Sequence, residues 1–368
     1  MIAEGKLIFD IAWDGRAIAG AKVRSSRPVF ACRILEGRPA EDVLKLVPML
    51  FSICGRAQAV AAATAVEAAR GIETGATVRE ERERAIAAEC LHEYVWRLFI
   101  DLPALLGEAA RPGDLADLRR RMPSQAGEAE WQDIAADAEE LLEQRVFGLR
   151  ARDWLALDEA RFERWVGDAA LPPARMLARL RGIQLGAPRG FLPWLDEAAL
   201  REVIAPALAA DVTFAAKPLW QGQPAETGAL ARQHLQPRVA RELARELARG
   251  GLPARLLARM MELAALPAQL RRPQALGVRG VAAGAGVGLA AVETARGTLV
   301  HRVVLEGERV VRYAIVAPTE WNFHPRGAFA RGLAGAAARD ENEARQAAAL
   351  LAHVLDPCVA YETRVVNA

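Results

Sequence analysis

A chain of 368 residues, 52% of them apolar, has enough material for one large core or two ordinary ones, which sets disorder aside. Lys and Arg number 48 against 46 Asp and Glu, so bulk charge makes no case for nucleic acid or an anionic membrane as partner. Apolar runs such as Ala57 to Ala69 are short, alanine-rich and broken by Thr64 and Glu67, which excludes them as membrane spans.

The N-terminus MIAEGKLIFDIAWDG opens into strand-like alternation without a basic and apolar leader, so a cytoplasmic chain is expected. The hairpin signal Asp14-Gly15 separates two alternating runs, Leu7 to Trp13 and Ala17 to Val23. Helical spacing follows over Pro39 to Phe51, Arg56 to Ala69 and the long stretch Val78 to about Gly107. It continues over Asp114 to Arg121 and Glu128 to Arg145, where Trp131, Ile134, Ala138, Leu141 and Leu142 form an apolar face. Gly182 to Pro224 is rich in Gly and Pro and reads as loops and short strands, a surface excursion. Helices are predicted again at Ala229 to Arg249 and Leu252 to Leu266, then a second hairpin, Leu299 to Leu305 with Val310 to Val316. A last helix is predicted at Glu341 to Val354. Hairpins near both ends of a helical middle, with no repeat and no long linker, predict one α+β domain over residues 1–368, the antiparallel hairpins lying at its periphery.

Gly284-Ala285-Gly286-Val287-Gly288 invites a dinucleotide reading, but its spacing is not G-x-G-x-x-G, and Leu289 to Val292 after it reads as a strand rather than a phosphate-binding helix. A turn is the better reading. His92, His234, His301, His324 and His353 show no zinc-hydrolase spacing, and no Gly-x-Ser-x-Gly elbow occurs. The arginine runs at Arg82 to Arg84 and Arg119 to Arg121 read as solvated helix faces. Cys32, Cys54, Cys90 and Cys358 are too sparse for a disulfide framework and read as reduced thiols, either inert and buried or metal-ligating. Cys54 begins a helix, a position that favours thiolate, and Cys358 follows Pro357 just past the last helix.

Seven segments in collinear order resemble the large subunit of nickel-iron hydrogenases. They are Ala3-Glu4-Gly5-Lys6, Ile34-Leu35-Glu36-Gly37-Arg38, Ile53-Cys54-Gly55, Pro224 to Arg232, Ala295 to His301, Pro318-Thr319-Glu320-Trp321-Asn322 and Asp356-Pro357-Cys358. The resemblance implies that Cys54 and Cys358 are the first cysteines of two metal-binding Cys-x-x-Cys pairs. The bridging cysteines of that family fall on Ala57 and Tyr361 here, and its following histidines on Ala61 and Arg364. No extension of the kind removed from large subunits is expected after Ala368. Bridging thiolates are what hold two soft metals together, so hydrogen activation is not expected, nor is an iron-sulfur cluster with so few cysteines.

The surroundings implied for an iron dicyanide carbonyl unit remain: Arg296 and Thr319 as donors to cyanide, Leu299 and Pro318 lining the carbonyl pocket. This pattern resembles the large-subunit-like hydrogenase accessory proteins of the HupK and HoxV type. It implies a non-catalytic maturation scaffold or chaperone, with maturation proteins and the large-subunit precursor as partners. A metal-free binding module of the same fold is the alternative, and nickel is left open beside iron.

Overall fold

The structure, a computed structural model, describes residues 5–28, 31–121, 128–168, 170–246, 251–274 and 277–368. Ala3 and Glu4 of the first resembling segment, and residues 247–249 of the helix predicted from Ala229, lie outside the described residues. The described strands are Leu7–Trp13 (β1), Ile18–Ser25 (β2), Val278–Ala282 (β3), Val287–Thr294 (β4), Gly297–Glu306 (β5), Arg309–Val316 (β6) and Tyr361–Asn367 (β7).

β1 buries Leu7, Phe9 and Ile11 from alternate positions, as a half-buried strand must. Its hairpin with β2 is closed by Asp14, whose carboxylate accepts from the backbone N–H groups of Arg16 and Ala17 at 2.9 and 2.8 Å. The other edge of β1 is taken by β7, in parallel, giving the order β2-β1-β7. β7 was not predicted. Its residues are half-buried or exposed throughout, so it carries no apolar alternation to read.

The C-terminal hairpin is part of a larger unit, an antiparallel meander β3-β4-β5-β6. β4 and β5 are buried on both faces. Ala290 and Val292 turn into the main core, while Leu289 and Ala291 turn to a second core built from Leu195, Leu200, Ile204 and Phe214. The segment Gly182 to Pro224 is therefore no surface excursion: it covers the far face of the sheet. Its Gly and Pro content gives short helices, Glu197–Ala199 and Ala205–Ala210 joined by a π turn at Leu200–Ile204, and the short strands expected there reduce to isolated bridges.

The glycine run 284–288 forms the turn between β3 and β4 and the first two residues of β4, and Gly286 and Gly288 pack too tightly for side chains. A Cβ on Gly288 would lie 2.1 Å from Ala65 O and 2.4 Å from Ala69 N, both on the Gly55–Arg70 helix. Gly286 has φ +68 and would press a Cβ to 2.3 Å from Leu305 O. Close backbone approach accounts for these glycines without a nucleotide. Gly288→Ala is expected to cost about 1–3 kcal/mol or more by overpacking, read as a lowered chemical-denaturation midpoint. Unchanged stability would mean that helix and sheet lie farther apart than described.

The helical middle follows the predicted spacing with three adjustments. Ala76–Trp96 passes through a π turn, Arg97–Asp101, into Leu102–Leu105. The stretch from Ala229 breaks into Ala229–Gln233 and Pro237–Glu246, because Pro237 has no N–H to continue a helix and fits its first turn. Leu252–Arg271 runs past Pro267 and is buried around most of its girth. Short helices at Ala151–Leu155, Glu159–Val166, Pro172–Leu180, Pro318–Asn322 and Ala328–Leu333 were not predicted. Among the described residues no helix is long and apolar enough to cross a membrane.

Candidate functional site

Cys54 closes a short 3-10 turn, Ser52–Cys54, and the Gly55–Arg70 helix starts immediately after it. Cys358 is placed by the Glu341–Leu355 helix, which begins at Asp340, its carboxylate accepting from Glu343 N at 2.9 Å. That helix ends on Asp356 in the left-handed region, φ 54, and Pro357 then turns the chain away. The two cysteines, distant in sequence, line one cavity of about 80 Å³ together with Arg296, Leu299 and Pro318. Such a volume suits a few small ligands, not a substrate-sized molecule. A larger cleft of about 1200 Å³ also reaches Cys358 and Arg296.

Thr319 joins the group through Cys358. Its Oγ1 donates to Cys358 Sγ at 3.1 Å and accepts from Cys358 N at 3.1 Å. The Pro318–Asn322 turn is fixed by Asn322, whose Oδ1 accepts from Thr227 N at 2.9 Å and whose Nδ2 donates to Leu355 O at 3.2 Å. Asn322 Nδ2 also donates to Arg296 O at 3.3 Å, so this one buried amide ties four of the seven resembling segments, or their flanks, into one place.

The site holds charge on both sides. Arg296 donates from Nη2 to Glu93 Oε2 at 2.6 Å, and its Nε lies 3.4 Å from Asp356 Oδ1. Asp356 also faces Arg97 Nε at 2.9 Å and Arg259 Nη2 at 3.9 Å. Burial opposes its ionisation, but Arg296, Arg97 and Arg259 outweigh that and hold its carboxyl at about 2. On the other side Arg27 donates to Glu320 Oε1 at 2.7 Å, and both line the thiol cavity. Nothing in the sequence marks Arg27, whose partner lies in a distant segment.

Cys54 does not behave as its helix position predicts. Part of its surface opens onto the cavity, yet protein surrounds it, and this burial, with Cys358 and Glu89 nearby, pushes its thiol up to about 12. Glu89 accepts from the backbone N–H of Arg56 at 2.9 Å and of Ala57 at 3.3 Å, occupying the helix start. Burial raises Glu89 to about 7 despite those donors. A relay of buried groups reaches the Cys54 sulfur from behind: Tyr313 OH and His301 Nδ1 are 2.7 Å apart, and His301 Nε2 and Gln58 Oε1 2.9 Å. Gln58 Nε2 then points to Cys54 Sγ at 3.6 Å. Burial holds His301 down to about 3, so its ring is neutral. If Tyr313 donates to Nδ1, Nε2–H is left for Gln58 and the amide NH₂ for the sulfur.

The remaining positions give no further soft ligand. Ala57 and Ala61 are buried in the helix, Tyr361 lies on β7, and Arg364 is paired with Glu362 at 2.7 Å. Among the described residues no group of three or more His, Cys, Asp or Glu is placed to hold a metal ion. Burial raises the thiols of Cys32, to about 11, and Cys90.

Comparison with known proteins gives the family and the fold. Residues 229–363 match the nickel-dependent hydrogenase family. The hydrogenase expression/formation protein HoxV of Cupriavidus necator is 34% identical, over 92% of this chain and 91% of that protein. This chain belongs to the hydrogenase expression/formation protein family. HupK of Bradyrhizobium diazoefficiens, another member, is also 34% identical, over 95% of this chain and 93% of that protein. The reduced, active nickel-iron-selenium hydrogenase of Desulfomicrobium baculatum shares the fold, with a TM-score of 0.61 at 16% identity over 95% of each chain. The fold of this family member is thus α+β and hydrogenase large-subunit-like.

Proposed function

We propose that this chain is a non-catalytic scaffold in nickel-iron hydrogenase maturation, holding an iron dicyanide carbonyl unit as cargo on Cys54 and Cys358 before passing it on. The observation that carries this reading is the small cavity that Cys54 and Cys358 line together with two guanidinium groups, Arg27 and Arg296, each anchored by a carboxylate. Thiolates are the soft ligands such iron requires, and guanidinium N–H groups suit anionic cyanide. Arg296 fits the part of donor, since its guanidinium lines the cavity with both cysteines while Glu93 engages Nη2 and Asp356 faces Nε. Leu299 and Pro318 supply the apolar wall for carbonyl, and Thr319 acts beside Cys358. With Ala57 and Tyr361 at the bridging positions, the site offers nickel no second pair of thiols, which supports cargo holding over hydrogen turnover.

The names of the relatives support maturation proteins and a large-subunit precursor as partners, and in this reading they meet the chain in the cytoplasm. Residues 1–368 work as one domain in this reading, supported by the pairing of β1 with β7. The alternative is a metal-free module that recognises assembly partners; the raised thiol of Cys54 and the lack of a third ligand among the described residues favour it.

Protein purified without oxygen from cells expressing the maturation machinery decides between them. Cyanide and carbonyl infrared bands, stoichiometric iron and no hydrogen uptake are expected. Bands absent under those conditions leave the metal-free module.

A further inference from the structure

We infer that Arg27 is the second anion-binding group of the thiol cavity, so that the two cyanides of the cargo are held by Arg296 and Arg27, while Thr319 orients Cys358. This rests on the scaffold reading and assigns the roles within its site differently from the resemblance.

A threonine hydroxyl has one hydrogen to give. Thr319 gives it to Cys358 Sγ at 3.1 Å, and its oxygen accepts from Cys358 N at 3.1 Å. A Cys358 thiolate bound to iron can only accept, so it keeps that hydrogen. Thr319 is thus committed to the ligand, and a second donor to the cargo must come from elsewhere.

Arg27 is built for it. A guanidinium carries five N–H donors in a rigid fork, and the Glu320 contact at 2.7 Å engages Nη1. Both side chains are largely buried, at 10% and 7% exposure, so the fork is held in place with little solvent screening. Arg27 lines the cavity with both cysteines, and the charge of each sulfur acts on it. The arrangement repeats the one at Arg296. There too a carboxylate, Glu93, anchors the fork, at 2.6 Å, and the same cavity receives the guanidinium. Each arginine remains charged while its partner limits how far it can swing, so each is a fixed donor for a small anion.

The test is infrared spectroscopy with iron analysis on anaerobically purified full-length protein made with the maturation machinery. Arg27→Gln is expected to shift one of the two cyanide bands and to weaken iron retention about 10- to 100-fold, as loss of an outer partner of a metal site does. Arg27→Lys, which keeps the charge, should move the same band by less, and serves if Arg27→Gln does not fold. Thr319→Val should weaken retention through Cys358 while leaving the cyanide frequencies in place. Cyanide bands unmoved in the folded Arg27 variants, or moved by Thr319→Val instead, overturn the assignment. Wild-type protein with no cyanide or carbonyl bands removes the scaffold reading itself, and this inference with it; wild-type bands indifferent to Arg27 remove the inference alone.

Discussion

Replacing either Cys54 or Cys358 by alanine is expected to abolish iron loading and the cyanide and carbonyl bands, whereas Cys90→Ala leaves them intact. In the scaffold reading each of the two thiols supplies one of two protein bonds to the iron, and no third ligand is in place among the described residues. Loss of an outer partner typically weakens a metal site about 10- to 100-fold, and a direct ligand contributes more. Cys32→Ala is the sharper control, because Cys32 lines the same cavity but points its sulfur at Tyr313 O, 3.2 Å away. It should load normally. Cys54 and Cys358 are both half-buried, so their truncation removes little packing, and thermal midpoints near wild type would separate lost loading from lost fold. Loading that survives in both single variants would sink the scaffold.

The parts of this structure legible in the sequence are those whose cause is local. The β1–β2 and β5–β6 hairpins follow from alternation around Asp14-Gly15 and Glu306-Gly307-Glu308, and the Glu341–Leu355 helix lies where a last helix is predicted. What was missed depends on distant partners. β7 is a strand because β1 offers it an edge, not because of its own pattern. The segment Gly182 to Pro224 is buried because β4 needs a cover on its second face. The site shows the same division. Cys54 and Cys358 stand out by motif, but the field of a helix start, worth about 0.3–1 kcal/mol, is small beside the roughly 1.4 kcal/mol that moves a pKa by one. Burial therefore decides the state of Cys54, and burial is not written in Ser52-Ile53-Cys54-Gly55. Arg27, Glu89 and Gln58 escape notice for the same reason.

The largest expected effect on stability lies in the segment Pro224 to Arg232, which the sequence marks only by resemblance. Its last residue clamps three elements together. Arg232 donates to both oxygens of Glu262, at 2.7 and 2.8 Å, and to Glu293 Oε2 at 2.8 Å. Glu262 lies on the Leu252–Arg271 helix and Glu293 on β4, while Tyr94 of the Ala76–Trp96 helix donates to Glu262 Oε2 at 2.5 Å. Arg232→Met keeps the apolar stem and removes the charge. Glu293 then retains Thr298 at 2.9 Å and Arg279 at 3.7 Å, but Glu262 is left with neutral partners only, Tyr94 and Gln233. Stranding one member of a largely buried ion pair costs about 3 kcal/mol or more, and that is the expected loss in urea unfolding at neutral pH. The pH dependence follows from Glu262. Burial raises its carboxyl, but Arg232 outweighs burial and holds it below its ordinary 4.5. A carboxyl lowered by folding stabilises the native state above pH 4.5 and loses that contribution as pH falls through its folded value. The gap between wild type and Arg232→Met should therefore be largest at neutral pH and narrow as pH falls. It narrows first above 4.5, where burial without Arg232 makes Glu262 of the variant take up its proton, and then below 4.5, where the wild type loses its contribution. Arg232→Lys, a single donor in place of a fork, should fall between them. A gap that stays constant with pH would place the loss in packing rather than in charge.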